Sequence, residues 1–172
     1  RLLSELTDPR MRAEALGRLG MFYHAQHLPS AAEETYGRAL AEADEPEWRY
    51  LRAITLMERG ELALAIQDYR LVTDKQPENA AAWFRLGSGL LVEGDQQGAS
   101  KALVEAQKRS PDSAIVLSAL SDLAVGDDEW GKAKELLERA RSLAPEAGQL
   151  SYKLAMVYRR LGDLEKAQSL LT

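Results

Sequence analysis

Small and apolar residues recur along this chain at an interval too long for a single helix and too regular for chance. Ala65, Ala99, Ala133 and Ala167 follow one another at steps of 34, and Ala32 stands 33 residues before Ala65. Gly20, Ala53, Gly87, Ser121 and Ala155 form a second series, at steps of 33, 34, 34 and 34. Pro77, Pro111 and Pro145 form a third series at steps of 34, and the turn-forming Gly60, Gly94, Asp128 and Gly162 form a fourth at the same step. A period of this length marks a stacked repeat, each copy being one supersecondary unit that cannot bury its apolar face alone.

Within each period the apolar spacing is that of two helices. Trp83, Leu86, Gly87 and Leu90 share one helical face. Gly94-Asp95 interrupts the pattern as a turn. Ala99, Leu103 and Ala106 then line a second helix, which Pro111 stops because proline disfavours helical geometry at its own position and the one before it. Small residues such as Gly87 and Ala99 permit close helix approach, where large ones would open voids. The pattern predicts repeats over about 13–45, 46–79, 80–113, 114–147 and 148–172, the last incomplete. Residues 1–12 read as the remnant of a preceding repeat (Leu2, Leu3, Leu6) followed by a helix start at Asp8-Pro9, with Asp as N-cap and Pro at the first helical position. The copies differ in detail: His27 stands where a turn glycine is expected, and Pro46 comes late. Trp48 sits one place early relative to Trp83, and Arg52 replaces a Leu.

Trp83-Phe84-Arg85-Leu86-Gly87, then Leu90, Gly94-Asp95, Ala99, Leu103, Ala106 and Pro111, resembles the tetratricopeptide repeat position by position, with Leu90 where the family usually has Tyr. The resemblance runs over about residues 13–172 in five copies. It implies an all-α fold, a right-handed superhelical solenoid of antiparallel helix pairs. In such an array the first helix of each pair lines a concave groove and carries most ligand contacts. Carried over by repeat position, the groove residues are Met21, His24, Tyr50, Ile54, Met57, Phe84, Ser88, Leu91, Asp122, Tyr152, Met156 and Arg159. Gly17, Ser118 and Val125 fall on the same set of positions. Many of these residues are large and apolar, and other residues already fill the core positions. A contiguous exposed apolar surface marks an interaction site, so the expected activity is binding of an apolar or amphipathic peptide or protein segment. The opposing reading is that these side chains pack between adjacent first helices and are only half exposed. The Lys and Asn positions with which some family members clamp a C-terminal carboxylate fall here on Gly17, Met21, Leu51, Ala81 and Arg85, so that mode is not expected.

Composition narrows the alternatives. The chain has 172 residues, 45% hydrophobic and 28% charged, the balance of a folded chain. Its net charge is -5, with basic residues dispersed among carboxylates, which argues against nucleic-acid binding. No apolar run approaches the ~18 residues of a membrane span. There is no cysteine, which removes disulfides and thiolate sites. His24 and His27 lack a third metal ligand. Asp127-Asp128-Glu129 reads as a turn that favours the next helix start, and Gly87-Ser88-Gly89 lies mid-helix without a preceding strand, unlike a dinucleotide loop. Lys153, Arg159 and Arg160 make a small basic spot, which offers contacts to an acidic partner but reads more readily as an ordinary solvated face, and Trp130 reads as packing between repeats. No catalytic residue, cofactor or metal is expected. Beginning at Arg1 and ending partway through a helix, the chain reads as a segment of something longer, with compartment open between cytoplasm and periplasm. The Ala- and Leu-rich repeats resemble bacterial examples. Two further roles stay open: a structural arm, self-associating through apolar ends that include Leu170 and Leu171, and a regulatory segment of an enzyme located elsewhere.

Overall fold

The computed structural model describes residues 8–171, and Leu2, Leu3 and Leu6 lie outside them. Ten helices succeed one another through the described residues: α1 Pro9–Ala25, α2 Pro29–Glu42, α3 Pro46–Glu58, α4 Leu62–Lys75, α5 Ala80–Glu93, α6 Gln96–Arg109, α7 Ala114–Gly126, α8 Trp130–Leu143, α9 Gly148–Leu161 and α10 Leu164–Ser169. Among the described residues the fold is all-α, a succession of antiparallel helix pairs. Asp8 caps α1, its Oδ1 accepting from the Arg10 amide at 2.9 Å, and Pro9 occupies the first turn where no intrahelical donor is needed. Asn79 caps α5 in the same way, accepting from the Ala82 amide at 3.0 Å.

Two irregularities of the sequence pattern have one local cause. Pro46 is not a late helix terminator. It opens α3, as Pro9 and Pro29 open α1 and α2, whereas Pro77, Pro111 and Pro145 lie in the loops between repeats. The connection from α2 to α3 is residues 43–45, while the corresponding connections are 76–79, 110–113 and 144–147. That loop is one residue shorter, which accounts for the step of 33 in series that otherwise advance by 34.

The turn inside each repeat reverses the chain through one left-handed residue. His27 (φ 57°), Gly60 (78°), Gly94 (91°), Asp128 (59°) and Gly162 (86°) all hold positive φ. Glycine adopts this region without cost, and His27 and Asp128 adopt it against their Cβ.

The chain divides between Asp95 and Gln96, inside the third repeat, into two compact units. In the first, each helix from α1 to α5 packs on the next, and α1 also meets α3. Ala13, Leu16, Ala32, Tyr36, Ala39 and Trp48 form one core cluster there. In the second unit, α6 to α10 pack in the same succession, around Leu117, Ala133, Leu137, Leu154, Ala155 and Tyr158. All five alanines of the first series are buried. A Cβ on Gly20 would stand 2.6 Å from the Tyr36 ring, so the small residue there is required by the aromatic packed on it.

Trp48 is not a displaced copy of Trp83. It occupies the third position of its helix, which is buried in the later repeats as Ala82, Val116 and Leu150. Its bulk fits because Gly17 lies beneath the indole: a Cβ there would stand 2.4 Å from ring carbons. Gly17 is therefore buried under Trp48 and is not a surface residue of the α1 face. Trp83 is half-buried, its Nε1 donating to the Pro77 carbonyl at 2.8 Å.

Arg52 is explained by Asp68. The carboxylate of Asp68, only 2% exposed, accepts from Arg52 Nε at 2.7 Å and Nη2 at 2.8 Å, and from Arg49 Nη1 at 2.9 Å. Asp44 holds the far side of Arg49 and also binds Lys75. The Lys75 ammonium and then Arg49 hold the Asp44 carboxyl below its ordinary range, and the Asp68 carboxylate raises the Arg52 guanidinium further still. At equivalent positions the fourth repeat has Leu120 and Leu136, and the fifth Leu154 and Leu170. Repeat two thus replaces an apolar pair with an ion pair, both members together.

Candidate functional site

The faces of the first helices can be read one unit at a time. On α1, Met21 is 47% exposed. His24 is half-buried, its Nε2 3.0 and 3.1 Å from the two carboxylate oxygens of Glu58 on α3. Tyr50, Ile54 and Met57 on α3, and Phe84, Ser88 and Leu91 on α5, are half-buried. The Tyr50 ring meets Tyr69 edge-on at 5.8 Å, and Ser88 Oγ donates to the Phe84 carbonyl at 2.9 Å. Apart from Met21, the large side chains among these groove candidates are thus shared between packing and surface.

The second unit is more open. Tyr152 is 57% and Met156 41% exposed on α9, and Asp122 on α7 and Arg159 on α9 are exposed as well. All four line one cavity of about 590 Å³ formed by α7, α8, α9 and α10. Trp130, Leu137 and Leu164 supply much of its apolar wall. Lys153 Nζ bridges α9 to α7, donating to both Asp122 oxygens at 2.8 and 2.6 Å and to Ser118 Oγ at 3.0 Å. The Arg159 guanidinium meets the Met156 sulfur at 3.9 Å. The Arg160 guanidinium lies 5.3 Å over the Trp130 ring, a cation–π contact. Trp130 also packs against the core of this unit, so its packing role is real but incomplete. The sequence marks Arg160 only as part of a basic spot with Lys153 and Arg159, and it does not assign Trp130 or Leu164 to a site. The available signal for those two was weak: an aromatic and a leucine, each at a helix start.

The other chemistry-bearing residues have structural duties. Asp128 Oδ1 accepts from Trp130 Nε1 at 3.1 Å, and Glu129 pairs with Lys132 at 2.7 Å. His27 forms a turn and His24 binds Glu58. Among the described residues no group of three His, Cys, Asp or Glu side chains gathers to hold a metal, and no helix is long and apolar enough to cross a membrane.

Comparison with known proteins agrees with this architecture. One tetratricopeptide repeat family model matches residues 23–77 and 50–114, and a second matches 124–172. The chain belongs to the tetratricopeptide repeat family. It is 34% identical over 126 residues to the cellulose synthase 2 operon protein C of Komagataeibacter xylinus, covering 70% of this chain but only 9% of that protein. Among solved structures, MamA from Desulfovibrio magneticus superposes with a TM-score of 0.84 at 22% identity, over 92% of this chain and 90% of that one. The pilF protein of Pseudomonas aeruginosa gives 0.82 at 19% identity, over 92% and 72%. These relatives are bacterial, and the chain is a protein-interaction scaffold of helical repeats, a fold that is generally non-catalytic.

Proposed function

We propose that the faces of the first helices bind an apolar or amphipathic segment of a partner protein. The observation that carries this reading is the pairing of Tyr152 and Met156, both exposed, with an apolar cavity of about 590 Å³ beside them. Exposed large side chains over an unfilled apolar hollow are favourable to cover. Aromatic residues and Met are also enriched at the cores of protein interfaces. In the first unit, taken by itself, Met21 is exposed on α1, and Tyr50, Ile54, Met57, Phe84 and Leu91 are half-buried on α3 and α5. The match to a cellulose synthase operon protein spans so little of that protein that it supports repeat architecture and not the operon's task.

The test is affinity capture with quantitative mass spectrometry, comparing wild type with Tyr152→Glu/Met156→Glu and with Met21→Glu, after circular dichroism shows each variant to be helical. Partners bound directly by these faces should be depleted in the variants. A partner list unchanged by every substitution would refute the reading. One observation favours a second role, self-association: α1 turns Met11, Leu19 and Phe22 outward, all exposed. Sedimentation of wild type against Met11→Glu/Phe22→Glu separates the two, because only the second role predicts a mass that falls in the variant.

A further inference from the structure

We propose that the cavity of the second unit takes an acidic amphipathic segment, its apolar side chains in the hollow and its carboxylates on Arg159 and Arg160. This rests on the first-helix faces being the binding surface and adds the chemistry of the partner. The argument is charge complementarity. Four charged side chains line the cavity: Asp122, Lys153, Arg159 and Arg160. Asp122 and Lys153 neutralise each other through two short contacts. The two arginines remain, and neither has a carboxylate partner among the described residues; Arg159 touches the Met156 sulfur and Arg160 lies over Trp130. Many arginines of this chain are tied to acids, as Arg49 and Arg52 are to Asp68, Arg59 to Glu33, Arg109 to Glu105 and Arg139 to Asp112, while others, such as Arg38, Arg70 and Arg85, stand on the surface without an ion pair among the described residues. Arg159 and Arg160 differ from those three in lining the mostly apolar cavity side by side, so two cations stand at its rim in a chain of net charge -5.

The geometry suits a carboxylate. Arginine presents a planar fork of donors that matches a carboxylate in a bidentate manner. The cation–π contact with Trp130 holds the Arg160 head over the ring in advance, which reduces the ordering cost on binding. The hollow lies within the ~300–1,000 Å³ range of ligand pockets, and its apolar wall rejects a uniformly charged peptide while accepting an amphipathic one. A basic segment would meet two unneutralised arginines and be repelled.

Random-peptide phage display on the whole chain supplies the probe, followed by fluorescence titration of synthetic copies of the enriched peptides. Enriched peptides should carry Asp or Glu close to Leu, Phe, Met or Trp. Their affinity should fall about tenfold in Arg159→Ala/Arg160→Ala, as expected for losing two charge-assisted contacts at a partly exposed site. Arg159→Lys/Arg160→Lys should recover part of the loss, and binding should weaken as salt is raised. Peptides that need Tyr152 and Met156 but lack acidic residues and ignore the arginines would overturn this proposal and leave the broader reading intact. Peptides indifferent to both sets of substitutions, or no enrichment at all, would overturn both. Dimerisation abolished by Arg159→Ala/Arg160→Ala, with no peptide bound, would make a second copy the occupant and refute the proposal.

Discussion

Two pairs of residues show how the repeats accommodate departures from their own pattern. Trp48 fills a position held elsewhere by Ala82, Val116 and Leu150, and it fits only because Gly17 has no side chain. Gly17→Ala should therefore destabilise, by about 1–3 kcal/mol, since the new methyl group would meet a rigid buried indole. Helix propensity pulls the other way by roughly 1 kcal/mol, so a net loss in urea unfolding identifies the overlap as dominant. Adding Trp48→Leu should remove most of the effect of Gly17→Ala. Arg52 and Asp68 form the second pair. Asp68→Ala strands Arg52 in a half-buried site and should cost about 3 kcal/mol, whereas Arg52→Leu/Asp68→Leu should return the protein to within ~1 kcal/mol of wild type or above it. The apolar pairs Leu120/Leu136 and Leu154/Leu170 at equivalent positions are the reason for that expectation. If the double variant were as unstable as Asp68→Ala, the ion pair would be doing more than replacing apolar packing.

At the scale of helices and turns, most of the architecture is legible in the sequence because it rests on local chemistry. Every turn residue in the series Gly60, Gly94, Asp128 and Gly162 adopts left-handed geometry, and so does His27, which stands at the same place in repeat one. His27→Gly should raise stability by about 0.5–1 kcal/mol, because the backbone stays as it is and the Cβ strain disappears. Asp128→Gly should yield less, since it also removes the acceptor of the Trp130 indole. Thermal unfolding of the two variants side by side checks both. Where the sequence misleads, the missing information is three-dimensional. Pro46 looks late only because the connection 43–45 is short, and Trp48 looks early only until Gly17 is seen beneath it. The groove residues are a sharper case. Repeat position names Tyr50, Phe84, Tyr152 and Met156 alike, yet the first two are half-buried and the last two exposed. Periodicity fixes which way a side chain faces on its own helix. It cannot fix how closely the neighbouring helix approaches, and that decides exposure. Arg160 and Leu164 enter the cavity from the last turn of α9 and the first of α10, a convergence that no spacing rule expresses.

Stability of the whole chain should depend on pH at the alkaline end through two side chains of its core. Tyr36 and Tyr69 are fully buried, and their hydroxyls have no hydrogen-bond partner among the described residues. Burial disfavours the phenolate, pushing Tyr36 up to about 12 and Tyr69 higher still. In the unfolded chain both ionise near ~10. The sign follows directly. Below that pH both states hold the phenolic protons and stability is unaffected. As pH rises from 10 towards 12 the unfolded state releases protons that the folded state retains, so unfolding becomes more favourable. The slope should approach ~1.4 kcal/mol per pH unit for each tyrosine. Urea midpoints measured through that window should therefore fall steeply in wild type. In Tyr36→Phe/Tyr69→Phe the fall should be much shallower. At neutral pH the same variant should equal or exceed wild type, because the later repeats place Leu103 and Leu137 at these positions and no buried hydroxyl remains unsatisfied. A variant that loses stability at neutral pH would mean that the hydroxyls find water or another partner inside the fold. A wild-type curve flat to pH 12 would mean that the rings admit solvent when they ionise, and the core of the first two repeats would be looser than its packing implies.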